Sequence, residues 1–167
     1  MWLIVGLGSE PRERRKRLFR GANPLSLDAK GRMTVPSRYR ELLQENCGGR
    51  LVITVDHRAP CLLVYPQPTW DVIERRLSEL PNFDEQARGL QRKLIGFAAE
   101  CDMDAQGRVL LPPSLREFAG LDKRVMLLGQ VNKFELWSEQ AWSEQCKDLF
   151  GGDGDPQVSE YLRTLSL

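Results

Sequence analysis

The chain has 167 residues, enough for one ordinary domain or two small ones, and its 41% hydrophobic and 28% charged residues are those of a globular protein. With 24 Lys/Arg against 23 Asp/Glu the net charge is only +1, and the first 17 residues hold five basic and two acidic groups, so residues 18–167 carry −2. That balance excludes a broadly basic surface, and any polyanion must be met by a local patch.

The opening MWLIVGLG is apolar but too short to cross a bilayer. It precedes the basic run Arg12–Arg17, whereas a signal peptide carries its charges first, so neither secretion nor membrane insertion is expected. Residues 1–17 are read as a disordered basic extension, with a start-site artefact as the open alternative.

From position 27 the chain reads LDAKGRMTVPSRYRE, and from 103 MDAQGRVLLPPSLRE. Between 28–41 and 104–117 the identical pairs are Asp28/Asp104, Ala29/Ala105, Gly31/Gly107, Arg32/Arg108, Pro36/Pro112, Arg40/Arg116 and Glu41/Glu117. The likeness continues at shorter offsets, with RLVITV against RVMLLG, CLLVY against KFELW, and Trp70 against Trp142. A unit of roughly 55 residues is therefore duplicated, at about 20–77 and 96–149.

Each unit opens with an extended segment leading into D-A-x-G-R. This is turn chemistry: the aspartate accepts from its own following backbone, and glycine supplies a positive φ, which assigns Asp28, Gly31, Asp104 and Gly107 as turn-setting residues. RMTVP and RVLLP read as strands ended by proline. Ser37 and Ser114 stand near the start of a short helix, with Leu42/Leu43 or Leu115/Phe118 on its inner face. Two further strands follow, LVITV and CLLVY in the first unit, VMLLG and FELW in the second. A last amphipathic helix closes each unit, with Trp70, Ile73, Leu77 and Leu80 behind Thr69 as cap, and Trp142, Cys146 and Leu149 behind Ser138. Between the units Asp84 caps a connecting helix over 81–95 whose inner face carries Leu90, Leu94 and Phe97. Residues 150–167 read as a flexible tail.

A 55-residue unit buries little by itself, so the two copies are expected to share one core as a dimer fused into one chain, mainly β with flanking helices. The two D-x-x-G-R turns then lie near a pseudo-two-fold axis on one face. Asp and Gly recur in turns for structural reasons alone, and duplication keeps them in both copies. The feature that points further is Lys30 and Arg32 flanking Gly31 at a narrow tip, since arginine grips phosphate or guanine in two-point fashion. Gln106 replaces the lysine in the second copy, which should weaken phosphate binding there and offers an amide for base reading. Two to four basic groups fall short of the about 6–10 phosphates that a tight complex engages, so an oligomer is implied.

FRGANPLSLDAKGRMTVPSRYRELL, CLLVYP, ECDMDAQGRVLLPPSLREFAGL and GQVNKFELW resemble the MraZ family of bacterial transcriptional regulators over about residues 19–149. The resemblance implies an α+β, mainly β fold: two tandem SpoVT/AbrB-type repeats in a pseudo-dimeric swapped-hairpin, double-psi-like β-barrel, assembled into a ring-shaped homo-oligomer. It implies double-stranded DNA as partner, at tandem promoter repeats upstream of the division and cell-wall gene cluster, with repression of that operon. It gives the DNA-contacting role to Arg32 and Arg108, with Lys30 and Gln106 beside them, and a cytoplasmic, nucleoid-associated location. Family members begin near MFRG, whereas LFRG starts here at Leu18, which motivates the start-site alternative.

Cys47, Cys61, Cys101 and Cys146 form no C-x-x-C pair and His57 is the single histidine, so neither a metal nor any other cofactor is expected. His57 lies in a turn, VDHRAP, and Asp102 and Asp104 are alternate residues of a solvated segment, which makes a poor acid–base set. VGLGSE is only a fragment of a nucleotide-binding loop. An enzyme is therefore not expected. The remaining rival is an antitoxin-like interaction module whose Trp70 helix binds a partner protein.

Overall fold

The computed structural model describes residues 18–151 and Leu165. The expected basic extension and most of the expected tail fall outside these residues. The strands are β1 (Phe19–Ser26), β2 (Arg32–Thr34), β3 (Leu51–Val55), β4 (Leu62–Pro66), β5 (Ala99–Glu100), β6 (Arg108–Leu110), β7 (Arg124–Val131) and β8 (Phe134–Ser138). The helices are α1 (Ser37–Cys47), α2 (Gln67–Ser78), α3 (Glu85–Leu94), α4 (Pro113–Phe118) and α5 (Glu139–Gly151).

Six strands form an antiparallel sheet in the order β1-β7-β8-β4-β3-β5, and β2 pairs with β6 in a separate ribbon. The order is a palindrome. β1, β7 and β8 of one half mirror β5, β3 and β4 of the other, with the seam between β4 and β8. The first strand of each copy pairs with the third strand of the other: β1 with β7 from Phe19↔Val131 to Ser26↔Arg124, and β5 with β3 at Val52↔Glu100 and Ile53↔Ala99. Loop bonds repeat the exchange, Leu27 N–H donating to Lys123 O at 2.7 Å and Met103 N–H to Gly49 O at 2.8 Å. Among the described residues the sheet does not close on itself, so the expected barrel appears as an open sheet plus a ribbon. The short β2 and β6 bond to each other and leave the large sheet with two edges.

One core runs between the halves. Phe19, Met33, Val35, Leu43, Ile53, Leu62, Val109, Leu111, Leu127, Phe134 and Leu136 all lie in it, drawn from both copies. Tyr39 packs edge-on against Phe19 and Phe134, and its hydroxyl donates to Arg20 O at 2.6 Å, which fastens α1 to β1. Every residue of β3 and β4 is buried, because Trp70 and Leu77 of α2 pack with Val52, Leu63 and Tyr65 on the second face of these strands.

That layer explains an asymmetry between the copies. Tyr65 stacks on Trp70 with ring centroids 5.7 Å apart, and Trp137 on Trp142 at 5.9 Å, so α2 and α5 sit alike on their strands. Only α2 is backed by α3. Thr54, fully buried, donates from Oγ1 to Leu94 O at 2.6 Å, and Gln91 Nε2 donates to Leu77 O at 2.7 Å. Among the described residues no helix backs α5 in this way, and α5 has no fully buried residue: Trp142 and Cys146 are half-buried and Leu149 is exposed, contrary to the expected inner face. α5 also runs on to Gly151, into the expected tail.

Two of the three expected helix caps are present. Asp84 accepts from Gln86 N–H at 2.8 Å and Ala87 N–H at 3.3 Å, and Ser138 Oγ from Ala141 N–H at 3.0 Å. Thr69 does not cap α2. The helix starts earlier, at Gln67 after Pro66, with Pro68 in its first turn, where the missing N–H costs nothing. Phe118 and Phe97 are partly exposed, with ring centroids 6.4 Å apart; Phe97 lies beyond the end of α3, and Leu115 and Ala119 are the buried residues at α4.

Candidate nucleic-acid interface

The two D-x-x-G-R turns are built from the same bonds. Asp28 Oδ1 accepts from Lys30 N–H at 3.0 Å and Arg32 N–H at 2.9 Å, and Gly31, at φ 79°, donates to Asp28 O at 3.0 Å. Asp104 Oδ1 accepts from Gln106 N–H at 2.9 Å and Arg108 N–H at 2.8 Å, with Gly107 at φ 77°. The other carboxylate oxygen holds the arginine by its Nε, at 2.6 Å for Arg32 and 2.8 Å for Arg108. A guanidinium bound at Nε still has outer N–H groups to offer another acceptor, and its plane is fixed before anything binds. The backbone N–H of Arg32, then its guanidinium and Lys30 N–H, hold the Asp28 carboxyl below the usual carboxylate range. Arg108 and Gln106 do the same for Asp104.

Each turn closes one rung of antiparallel pairing, Asp28 N–H to Arg32 O and Asp104 N–H to Arg108 O. The strands then part, the first into the large sheet and the second into the ribbon. The ribbon register is Arg32↔Leu110, Met33↔Val109 and Thr34↔Arg108. Met33 and Val109 are buried beneath it, so alternation puts Arg32, Thr34, Arg108 and Leu110 on its outer face. The two arginines, one from each copy, thus sit diagonally on a single surface, about 7–8 Å apart at their backbones. Lys30 and Gln106 are exposed at the turns themselves, at opposite ends of this ribbon. Gln106 Oε1 also accepts from Arg108 Nη2 at 3.2 Å, a contact for which the Lys30 ammonium has no equivalent acceptor.

Two residues at this site have no role in the sequence reading: Arg40 and Arg116, identical in the two copies. Arg116 Nε donates to Leu111 O at 3.2 Å, and a Cβ built on Gly31 would stand 2.6 Å from its Cζ. Arg40 Nε donates to Val35 O at 2.7 Å, and a Cβ on Gly107 would stand 2.4 Å from that Nε. Each guanidinium therefore lies across the turn glycine of the other copy. Identity in both copies is the signal that marks these arginines; their glycine targets are invisible to local spacing because they lie in the other repeat.

His57 is exposed on a turn beside Asp56, its Nδ1 3.7 Å from the carboxylate, and Asp102 is exposed too. Among the described residues, no three His, Cys, Asp or Glu side chains come together to hold a metal, and no helix is long and apolar enough to cross a membrane.

Residues 18–93 and 94–150 each match one family model, described as "MraZ protein, putative antitoxin-like". The chain belongs to the MraZ family. It is 57% identical to the transcriptional regulator MraZ of Thioalkalivibrio sulfidiphilus over 151 residues, which is 90% of this chain and all of that protein. It is also 57% identical to the transcriptional regulator MraZ of Pseudomonas aeruginosa, with the same coverage. The Serratia proteamaculans protein of that name is 52% identical over 152 residues. The double match of the MraZ model falls on the two copies recognised in the sequence, and the break between 93 and 94 lies at the end of α3.

Proposed function

We propose that this MraZ-family chain is a DNA-binding transcriptional regulator, not an enzyme, and that the outer face of the β2–β6 ribbon is its DNA-contacting surface. The observation that carries this reading is the pair Arg32 and Arg108, each pre-set by its own aspartate and brought to one surface by a ribbon that takes one strand from each copy. Relatives that are transcriptional regulators by name support it. Lys30 and Gln106 extend the surface, while Asp28, Gly31, Asp104 and Gly107 set its shape.

The finer reading follows the family resemblance. Residues 20–80 and 96–149 act as two SpoVT/AbrB-type modules of a swapped pseudo-dimer joined by the helix of 81–95. The exchange of first strands between the copies supports it. One chain offers too few cations for tight binding, so several chains, as a ring, engage tandem repeats upstream of their own operon in the division and cell-wall cluster and repress it, in association with the nucleoid.

Fluorescence anisotropy on that upstream DNA, across a salt series, tests the reading. Steep salt dependence and preference over scrambled DNA, both lost in Arg32→Ala, is the expected result. A variant equal to wild type removes the ribbon from the mechanism. The rival, an interaction module without DNA readout, has lost its first candidate surface, since Trp70 and Leu77 are buried in the chain's own core. What favours it is the exposed Leu149 and Phe150 on α5; a ring that keeps full activity without Lys30 and Arg32 would support it.

A further inference from the structure

We propose that Arg40 and Arg116 are positioning residues that clamp the D-x-x-G-R turn of the opposite copy, so that the two ribbon arginines act as one preformed site. The proposal rests on the DNA-binding reading above for its use, and on the following geometry for its existence.

Leu111 N–H donates to Gly31 O at 3.1 Å, and Val35 N–H donates to Gly107 O at 2.8 Å. The carbonyls of those same two residues, Leu111 and Val35, accept from Arg116 Nε and Arg40 Nε. The guanidinium of each arginine then rests on the α-carbon face of the glycine whose carbonyl is held. Each arrangement is thus a closed loop of three groups: backbone of one copy, turn glycine of the other, and an arginine from the helix that follows the first. The loop occurs twice, with matching atoms. Gly31 and Gly107 are buried under it, while Arg40 and Arg116 are half-buried.

Two consequences distinguish a clamp from a bystander. First, glycine is required at 31 and 107 for two independent reasons, the positive φ and the seat of the guanidinium. Second, the element that orders a turn belongs to the other repeat. Arg116, in the second copy, orders residues 28–32, and Arg40, in the first, orders residues 104–108. A guanidinium bound at Nε to a carbonyl and lying against a glycine is not replaced by the point charge of lysine. Neither arginine forms an ion pair among the described residues, so its removal costs shape at the turn.

The test is hydrogen–deuterium exchange on the full chain, with DNA affinity alongside, for Arg40→Ala, Arg116→Ala, Arg40→Lys and Arg116→Lys. Arg116→Ala is expected to speed exchange in the peptide covering 28–32 and to leave 104–108 as in wild type, with Arg40→Ala giving the mirror pattern. Affinity for the upstream DNA should fall about tenfold or more in each, the scale of one charge-assisted hydrogen bond, and lysine should not restore it. Recovery of affinity by lysine with unchanged turn exchange would overturn the proposal in favour of direct phosphate binding. Faster exchange throughout both halves, with a large fall in melting temperature, would overturn it in favour of a general packing role. A wild-type protein that prefers no upstream DNA would fail the functional reading and the clamp's use with it, and the exchange pattern would still decide the clamp itself.

Discussion

Met33→Ala tests whether the two copies are one cooperative structure. Met33 is 1% exposed, lies in β2 of the first copy and faces Val109 of β6 in the second, directly beneath the ribbon. Removing its side chain costs about 2–5 kcal/mol in transfer and cavity terms. The ribbon above is only three pairs deep and methionine fills space loosely, so partial collapse places the cost in the lower part of that range, about 2–3 kcal/mol. For a chain of this size the melting temperature then falls by roughly 4–12 °C. Trp70 and Trp137 are buried in different copies and serve as separate reporters once the other tryptophans are replaced by Phe. Both reporters should give one midpoint, and Met33→Ala should lower both equally. Two midpoints, with only that of Trp70 moved, would refute the shared core.

Three further outcomes are expected. Arg32→Ala and Arg108→Ala should each flatten the slope of log K against log salt by about 0.9 for every phosphate no longer neutralised, and Gln106→Lys should steepen it; equal slopes in all four proteins would contradict the ribbon assignment. The Asp28 and Asp104 carboxyls are held below their ordinary range by Arg32 and Arg108, so their contribution is complete above the unfolded carboxylate range of about pH 4 and is lost as pH falls through the lowered native values. An Asp28→Asn, Asp104→Asn double variant should therefore show a flatter acid-unfolding profile than wild type, and superimposable profiles would count against the turn bonds. Burial pushes the Cys101 thiol up to about 11 and the Cys61 and Cys47 thiols up as well, so iodoacetamide at about pH 8 should label half-buried Cys146 first; peptide masses showing early native labelling of Cys101 would contradict the packing.

What could be read from sequence was what acts locally. The D-x-x-G-R turns bond within five residues, and the Asp84 and Ser138 caps within three, so residue type and spacing suffice. Duplication was legible because both copies keep the same turn and the same aromatic pair, Tyr65 with Trp70 and Trp137 with Trp142. The exchange of strands was not written in either copy, since nothing in FRGANPLS names RVMLLGQV as its partner. The same holds for Arg40 and Arg116, whose glycine targets lie in the other repeat. Phe118 and Leu149 fit helical spacing and still face outward, because periodicity marks an apolar face without saying whether anything covers it. For α2 that cover is α3, which has no counterpart over α5 among the described residues.

The exchanged strands also set a schedule for synthesis. The first copy leaves the ribosome with β1, β2 and the outer side of β3 unpaired, because their partners β7, β6 and β5 are all encoded later. At about 5–20 residues per second the interval from Phe19 to Val131 is roughly 5–20 s, during which a nascent chain carries open edges that a neighbouring nascent chain on the same message could fill. Two first copies could then pair with each other in place of their own second copies. The short β2 and the charges flanking it limit how well such a mispaired species holds. The connecting segment of α3 tethers the second copy to the first, which raises the effective concentration of the correct partner strands.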